Sequence, residues 1–396
     1  MADKPTLAGE PITVEEMARN PYPFFEQMQV HRPVCWMPAF NMWMLTRHAD
    51  IITLLRDAKR FTMEPQPNYP NPMQELFGPM MLSIDGPDHR RIRKVFIEPF
   101  RPRHVREWYT DMIQQISQTL VDEFAAQKTA DLDKAFSDRL AIFVIVAALG
   151  YEVNDMRQFR DWYDEFGASI GNVQNDPNVQ TRGQRAFNHF RAITLAQVEA
   201  LKIAPNQSIL SQMIHHMGNQ LTTEELVSNI ALTFFGGVET TSALFSNAIW
   251  ALLTHPEQLQ EVQDNPRHLP QAIEEALRWE APVQGAMRFP TQDVEIHGVS
   301  IKKGEKIYGM LGAANRDTAV FKNPSIYDIH RSNANKHLSF AYGPHICFGA
   351  PLARLEAKIG IGHLLQRLPK LQIDPKRATQ PYGHEFRAPP TLFANW

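Results

Sequence analysis

Cysteine is nearly missing from this chain. Cys35 and Cys347 are the two present in 396 residues, so if one of them is a metal ligand no disulfide framework is left, and a reducing cytoplasm is the natural setting. Long apolar runs are missing as well. The stretch at residues 140–149 ends at Gly150 and is too short to cross a bilayer, which makes it a core helix. Residues 1–20 carry Asp3, Glu10, Glu15 and Glu16 and lack the apolar run of a signal peptide or membrane anchor. Charge of one sign is not in excess: a net charge of −3 gives nothing that favours nucleic acid. With 43% hydrophobic and 21% charged residues, and no fixed-period repeat or low-complexity linker, the composition is that of a soluble globular protein. The length exceeds that at which most single cores divide, yet one large helical domain accommodates it. The expected organisation is an extension over residues 1–20 and one domain over residues 21–396.

What is present concentrates around Cys347. Gly343, Pro344 and Gly349 punctuate a turn-rich segment, and the residues from Leu352 onward read as a helix. Cys347 therefore stands just before a helix N-terminus, where unpaired backbone N–H groups and the helix dipole favour a thiolate over a thiol. The glycines at 343 and 349 supply a backbone free to adopt positive φ and leave room for something flat to approach. Taken alone, a buried free cysteine acting as a small hydrophobe is the competing account.

Several other stretches stand out along the chain. Strand patterns fall around residues 34–37 and 42–46, with a helix over residues 49–57. Pro65, Pro67, Pro70, Pro72 and Pro79 forbid regular helix between residues 62 and 82 and predict a long ordered loop with an apolar wall of methionine and aromatic side chains. Asp88 is a plausible N-cap for the next helix, on which His89 and Arg93, four apart, share a face suited to one anionic group or simply to solvent. A break in the helical pattern at residues 172–183 suggests a lid connection. The neighbouring His215 and His216 point about 100° apart on a helix, which suits surface positions and not joint ligation.

The box Thr222-x-x-Glu225 opens a helix running to Thr254. Within it Gly236, Gly237, Glu239, Thr240 and Thr241 form a run that weakens helix, each glycine by about 1 kcal/mol relative to alanine, so the run needs a reason such as backbone space beside a cofactor or a carboxylate and hydroxyl placed to handle protons. A packing notch is the alternative. Glu275 and Arg278 lie three apart on a helix over residues 270–279, and strand patterns follow at residues 283–289 and 294–305.

The pattern Phe340-x-x-Gly343-x-His345-x-Cys347-x-Gly349 resembles the haem-binding signature of the cytochrome P-450 family. One departure is Ala341, where the family usually has glycine, and alanine tolerates less backbone strain there. The run Gly236-Gly237-Val238-Glu239-Thr240-Thr241 resembles the family's acid–alcohol motif, and Glu275-x-x-Arg278 its Glu-x-x-Arg motif, with Arg331 as third member. The resemblance implies a mainly α fold with a small β region, the triangular α-rich prism of that family, holding one haem b. Cys347 would be the axial ligand of the iron. His89, Arg93, Arg288 and His345 would hold the propionates, with Phe340, Gly349, Gly236 and Gly237 also lining the cofactor site. Thr240 would hydrogen-bond dioxygen and Glu239 would relay protons. Phe77, Met80, Met81, Phe234, Val283, Met287 and Phe386 would border the substrate.

The implied activity is a monooxygenase, taking one atom of dioxygen into an apolar small molecule by hydroxylation or epoxidation. The length leaves no room for a reductase domain, so the resemblance implies a separate ferredoxin or flavodoxin with its reductase, docking on basic residues such as Arg90, Arg91, Lys94, Arg101, Arg103 and Arg106. Family members without an anchor are typically bacterial. A peroxide-driven peroxygenase and a haem-thiolate ligand carrier or sensor are the rival readings, the first opposed by the intact Glu239–Thr240 pair.

Overall fold

The computed structural model describes residues 4–7, 12–152, 156–172, 174–217 and 220–396. Helices dominate. The N-terminal part holds α1 (Val14–Arg19), α2 (Tyr22–His31), α3 (His48–Arg56), α4 (Pro72–Phe77), α5 (Gly86–Ile97) and α6 (Pro102–Ala125). The middle holds α7 (Asp138–Leu149), α8 (Met156–Ile170), α9 (Pro177–Ile203), α10 (Ile209–Met217) and α11 (Thr223–Thr254). The C-terminal part adds α12 (Pro256–Asp264), α13 (Leu269–Trp279), the short α14 (Leu311–Ala314) and α15 (Ala350–Arg367).

The strands are short. A five-stranded sheet has the order β1 (Val34–Met37), β2 (Met42–Leu45), β8 (Ile307–Met310), β5 (Gly285–Pro290), β3 (Phe61–Thr62). Only the β2–β8 pair is parallel, with Met44 opposite Tyr308. In the antiparallel β5–β8 pair Ala286 faces Gly309 and Arg288 faces Ile307, which sets the side of the sheet from which β5 meets the core. A second sheet joins β4 (Thr129–Asp131), β10 (Phe393–Asn395) and β9 (Gln372–Ile373), and β6 (Val294–Ile296) pairs with β7 (Val299–Ile301) as a hairpin.

The central element is α11. Thr222 and Glu225 satisfy each other's backbone N–H groups at 3.1 and 2.9 Å, so the first turn is closed as its sequence requires. Its polar residues are interior ties. Asn229 accepts the Met81 N–H at 2.8 Å and Asn247 donates to the carbonyls of Glu280 and Arg387 at 3.0 and 2.9 Å. No described helix is long and apolar enough to cross a membrane. The expected core helix at residues 140–149 is α7, ended by Gly150 in the left-handed region at φ 93°.

Four expectations need correction. The proline-rich stretch does contain a helix, because Pro72 sits at the first helical position, where no N–H bond is needed, and Asn71 caps it by accepting from Met73 and Gln74. Asp88 does not cap α5: that helix starts at Gly86, and the preceding Asp85 uses its carboxylate elsewhere. The break expected at residues 172–183 is shorter, since Asp176 caps α9 with Pro177 at its first position; Val173 lies outside the described residues. Residues 4–7 and 12–19 are no free extension. Lys4 pairs with Glu305 at 2.6 Å, Met17 is buried, and the Ala18 carbonyl accepts from Gly383 and Arg387; residues 1–3 and 8–11 lie outside the described set. His215 is exposed, with its ring near the Leu201 carbonyl, and the side chain of His216 is outside the described residues.

Candidate functional site

A cavity of about 330 Å³ lies between α11 and the segment before α15. One wall carries Phe340, Cys347 and Gly349; α11 supplies Gly236, Gly237, Thr240 and Thr241; α5 supplies His89 and Arg93 at an edge. The rest is mainly apolar, with Leu82, Leu232, Leu244, Val283 and Ala286 among its members.

The cysteine segment is built by backbone bonds. The Cys347 N–H donates to the Phe340 carbonyl at 2.9 Å, closing a loop that returns the thiol to the cavity just before α15. At φ 74°, Gly343 brings its Cα so close to α3 that a Cβ would stand 2.5 Å from the Leu55 carbonyl oxygen, so glycine is required there. Gly349 is different: its φ is −74°, and its contribution is the missing side chain beside Cys347 Sγ. Ala341 does adopt a left-handed backbone, at φ 59°, so the alanine that replaces the family's usual glycine is accommodated under strain.

The thiol itself departs from the expectation that the helix start alone makes a thiolate. Cys347 opens onto the cavity but is deep among protein atoms, and that burial raises its pKa, more than the Gly349 and Ala350 N–H groups and the charges of Arg93 and Arg354 lower it. A bound metal cation would supply the missing compensation, since a coordinating thiol is deprotonated outright.

Beside it stands a cluster of basic groups. Asp85 accepts from Thr62 Oγ1 and the Met63 N–H at 2.7 Å and from His345 Nε2 at 2.8 Å, and these bonds outweigh its burial and hold its pKa at about 2. The His345 ring lies 4.2 Å from the His89 ring. Burial, with the charges of His345 and Arg93, lowers the His89 pKa to about 4, and burial also lowers that of His345. Arg93 bonds the Ile346 carbonyl. Arg288 is buried, donates to its neighbour's carbonyl at 2.6 Å and contacts Met63 Sδ; burial lowers its pKa to about 10. His89 Nε2 is buried with no partner. The cluster thus holds more donors than acceptors, and Arg288 does not itself line the cavity.

Behind the site lies a closed ion-pair network. Glu275 and Arg278 are both 0% exposed and joined by two bonds of 2.7 Å, and Arg331 donates to Glu275 at 2.9 Å. The remaining guanidinium donors reach carbonyls of Asn315, Pro324, Ile326, Lys322 and Asn323. A bidentate fork is what lets two arginines share one carboxylate here.

On α11, Thr240 lines the cavity with its hydroxyl donating to the Gly236 carbonyl at 2.7 Å. Gly236 opens into space, whereas a Cβ on Gly237 would press on Ile145 of α7 at 3.0 Å, so Gly237 is partly a packing notch. Glu239 does not line the cavity: it is exposed, and its carboxylate accepts the hydroxyl of Tyr163 from α8.

Of the residues expected to border a substrate, Met81 and Val283 line the cavity. The others do not. Phe77 packs on Phe166, Phe187 and Phe235, and Phe234 on Phe159, Phe166 and Phe190, both in an aromatic core between α8, α9 and α11. Met80 is fully buried away from the cavity, Met287 is half-buried opposite Tyr308, and Phe386 is 40% exposed, bridging to Val283 by backbone. Leu232, Leu244 and Ala286 line it instead; for the two leucines helical periodicity carried no signal, because α11 is buried along most of its length. Sequence reasoning also passed over Asp85, Tyr163 and Glu356; only Asp85 carried a cue, as the residue opening the Gly86-Pro87 turn.

Residues 26–391 match the family model described as Cytochrome P-450. The chain belongs to this family. It is 34% identical over 369 residues to the biotin biosynthesis cytochrome P-450 of Bacillus subtilis (strain 168), covering 90% of this chain and 91% of that one. The polyketide biosynthesis cytochrome P-450 PksS of the same organism is 32% identical over 376 residues, covering 91% of each. The crystal structure of P450BioI in complex with hexadec-9Z-enoic acid ligated acyl carrier protein superposes with a TM-score of 0.85 at 34% identity, over 95% of this chain and 98% of that one. The mainly α fold with its small β region is the P-450 fold, and the protein is a haem monooxygenase whose cofactor is haem b.

The residues present fit that cofactor. The unpartnered His89 Nε2 and an Arg288 without a carboxylate partner are what two propionates would satisfy, and the cavity lined by Cys347 and Thr240 has a thiol as its sulfur donor.

Proposed function

We propose that this P-450 oxidises an apolar, largely uncharged small molecule held on the α11 side of the cavity, with electrons from a separate ferredoxin or flavodoxin and its reductase in the cytoplasm. The observation that carries the reading is the lining itself: Cys347 on one wall, Thr240 on the other, and aliphatic residues between, with the cationic groups confined to one edge. Haem b, when bound, supplies the redox chemistry that divides dioxygen between substrate and water. Cys347 would ligate the iron, and His89, Arg93, Arg288 and His345 would hold the propionates. Phe340, Gly349, Gly236 and Gly237 would border it.

Thr240 offers a hydroxyl whose own proton is committed to the Gly236 carbonyl, leaving its lone pairs to accept a bond from the cavity. Glu239, exposed and tied to Tyr163, takes protons from solvent and must leave that bond to pass them to Thr240. The aliphatic lining keeps bulk water from the reacting atoms once substrate fills it. The hexadec-9Z-enoic acid of the P450BioI complex and the polyketide biosynthesis in the name of PksS make fatty acyl and polyketide chains the first compounds to try. A spin-state titration of the holoenzyme with neutral acyl, polyketide and terpenoid compounds should give Soret shifts that grow with apolar length; shifts confined to small charged compounds would overturn the reading.

The donor would dock where basic side chains are free. Arg90, Lys94 and Arg106 are exposed with no ion-pair partner among the described residues, whereas Arg91, Arg101 and Arg103 are engaged by Glu225, Glu98 and Glu107. Reversing the first three charges should slow reduction and flatten its salt dependence; unchanged kinetics would remove this face from the docking surface.

A further inference from the structure

Helix α11 carries a second cavity threonine, outside every signature motif. Thr233 is buried, lines the cavity beside Leu232, and donates its hydroxyl proton to the Asn229 carbonyl at 2.7 Å. Thr240 does the same toward the Gly236 carbonyl, at the same distance and the same offset along the helix. We propose that Thr233 is a specificity residue of this enzyme: it accepts a hydrogen bond from a hydroxyl or amide N–H of the substrate. The molecule oxidised is then an extended apolar chain bearing one such donor, remote from the carbon that reacts.

The helix fixes the spacing. From Thr233 to Thr240 the chain turns to within about 20° of two full turns and advances about 10 Å. Two hydroxyls held by the same backward bond therefore lie on nearly the same side of α11. Between them stand Gly236 and Gly237, both on the cavity wall and with no side chain to interrupt the path from one hydroxyl to the other. An extended chain advances about 1.2 Å per bond, as a polypeptide does at about 3.6 Å per three-bond residue, so the span amounts to roughly eight bonds.

The chemistry at Thr233 selects a donor. A threonine hydroxyl has one proton and two lone pairs, and with the proton spent on a carbonyl only acceptance is left. Neighbouring polar groups are spent as well. The Met81 N–H is bonded to Asn229 Oδ1 at 2.8 Å, and Asn229 Nδ2 donates to the Glu225 carbonyl at 2.7 Å. Met81, Leu82 and Leu232 give this part of the wall an apolar character. A substrate without a donor leaves the Thr233 oxygen dry, whereas a hydroxyl or N–H restores the bond that water gave up. One neutral hydrogen bond of this kind is worth about two- to twelvefold in affinity. Long-chain alcohols, hydroxylated acyl and polyketide chains and N-acyl amides meet the description; plain hydrocarbons and methyl ethers do not.

This assignment rests on the apolar-substrate reading above, and one titration separates the two. The holoenzyme is titrated with primary alkanols of rising length and with their methyl ethers, following the Soret shift. In the wild type each long alkanol should bind about two- to twelvefold more tightly than its ether. Thr233→Val should bring that ratio to about one without changing the affinity for the ether, and Thr233→Ser, which keeps the oxygen, should retain it. In turnover, the carbon oxidised should stay roughly eight bonds from the hydroxyl as the chain lengthens, and should lose that register in Thr233→Val. Equal affinity for alkanol and ether in the wild type would overturn the proposal alone, and this comparison decides the matter even where Thr233→Val fails to take up haem. An unchanged ratio in Thr233→Val, or an equal loss for alkanol and ether, would overturn it too by reducing Thr233 to a packing role. No shift with any compound of either series would remove the apolar-substrate reading and this one together.

Discussion

Two buried charge clusters flank the cysteine loop, and they are built on opposite principles. Around Glu275, every strong donor of Arg278 and Arg331 ends on a carboxylate or a carbonyl. Around His345, one carboxylate, Asp85, serves an edge that also holds His89, Arg93 and Arg288, and a histidine nitrogen is left with no partner. A closed network leaves no donor for anything else; an open one leaves donors free. The difference comes from stoichiometry of donors and acceptors and not from depth, since Arg278 and Arg288 are both buried.

The comparison breaks most visibly at the closed cluster. Glu275→Ala leaves two guanidinium groups buried without their carboxylate, and the expected loss is about 3–5 kcal/mol of stability with failure to take up haem, read by chemical denaturation and haem content; normal holoprotein would show that the network is dispensable. The open cluster should behave otherwise. Arg288→Ala should cost the haem-free protein little, because no carboxylate loses its partner, yet weaken haem retention by about 1.5–3 kcal/mol in competition against apomyoglobin. Equal destabilisation of both forms would erase the distinction drawn here.

Acid sharpens the contrast. His89 has a folded pKa of about 4 against 6.5 for the free side chain, so the unfolded chain binds the extra proton between those values. The stability that its neutral form contributes is present above about pH 6.5 and is lost as pH falls toward 4. His89→Gln should flatten that part of the haem-free protein's stability profile, whereas haem loading, by bringing propionates to the ring, should flatten it in the wild type. Asp85 works at lower pH with the same sense: its contribution is present above 3.8 and disappears toward 2. The smallest effect belongs to Ala341, whose left-handed backbone should be relieved in Ala341→Gly for a gain of about 0.5–1 kcal/mol in thermal denaturation; a loss would mean the methyl group's packing outweighs the strain.

Much of the site was readable because it is local. Cys347, its glycines and the helix that follows occupy one short stretch, and the capping box of α11 and the His89–Arg93 spacing are likewise written within one turn of chain. Proline density misled at residues 72–77, since a proline at a helix start removes nothing the helix needs. The apolar residues were harder. Phe77 and Phe234 were expected at the cavity and lie instead in the aromatic core, because hydrophobicity marks a side chain for the interior without saying which interior.

By itself the sequence determined the family, the cysteine of the signature segment and the order of the motifs around it, since each depends on residue type and short spacing. Only the tertiary structure decided which carboxylates are spent and which are free. Asp85 is tied to His345, Glu239 to Tyr163 and Glu274 to Arg354, while Glu356 is left without a partner. Those states depend on which side chains arrive from distant parts of the chain, and desolvation acts on a carboxyl only once the surrounding helices have closed around it.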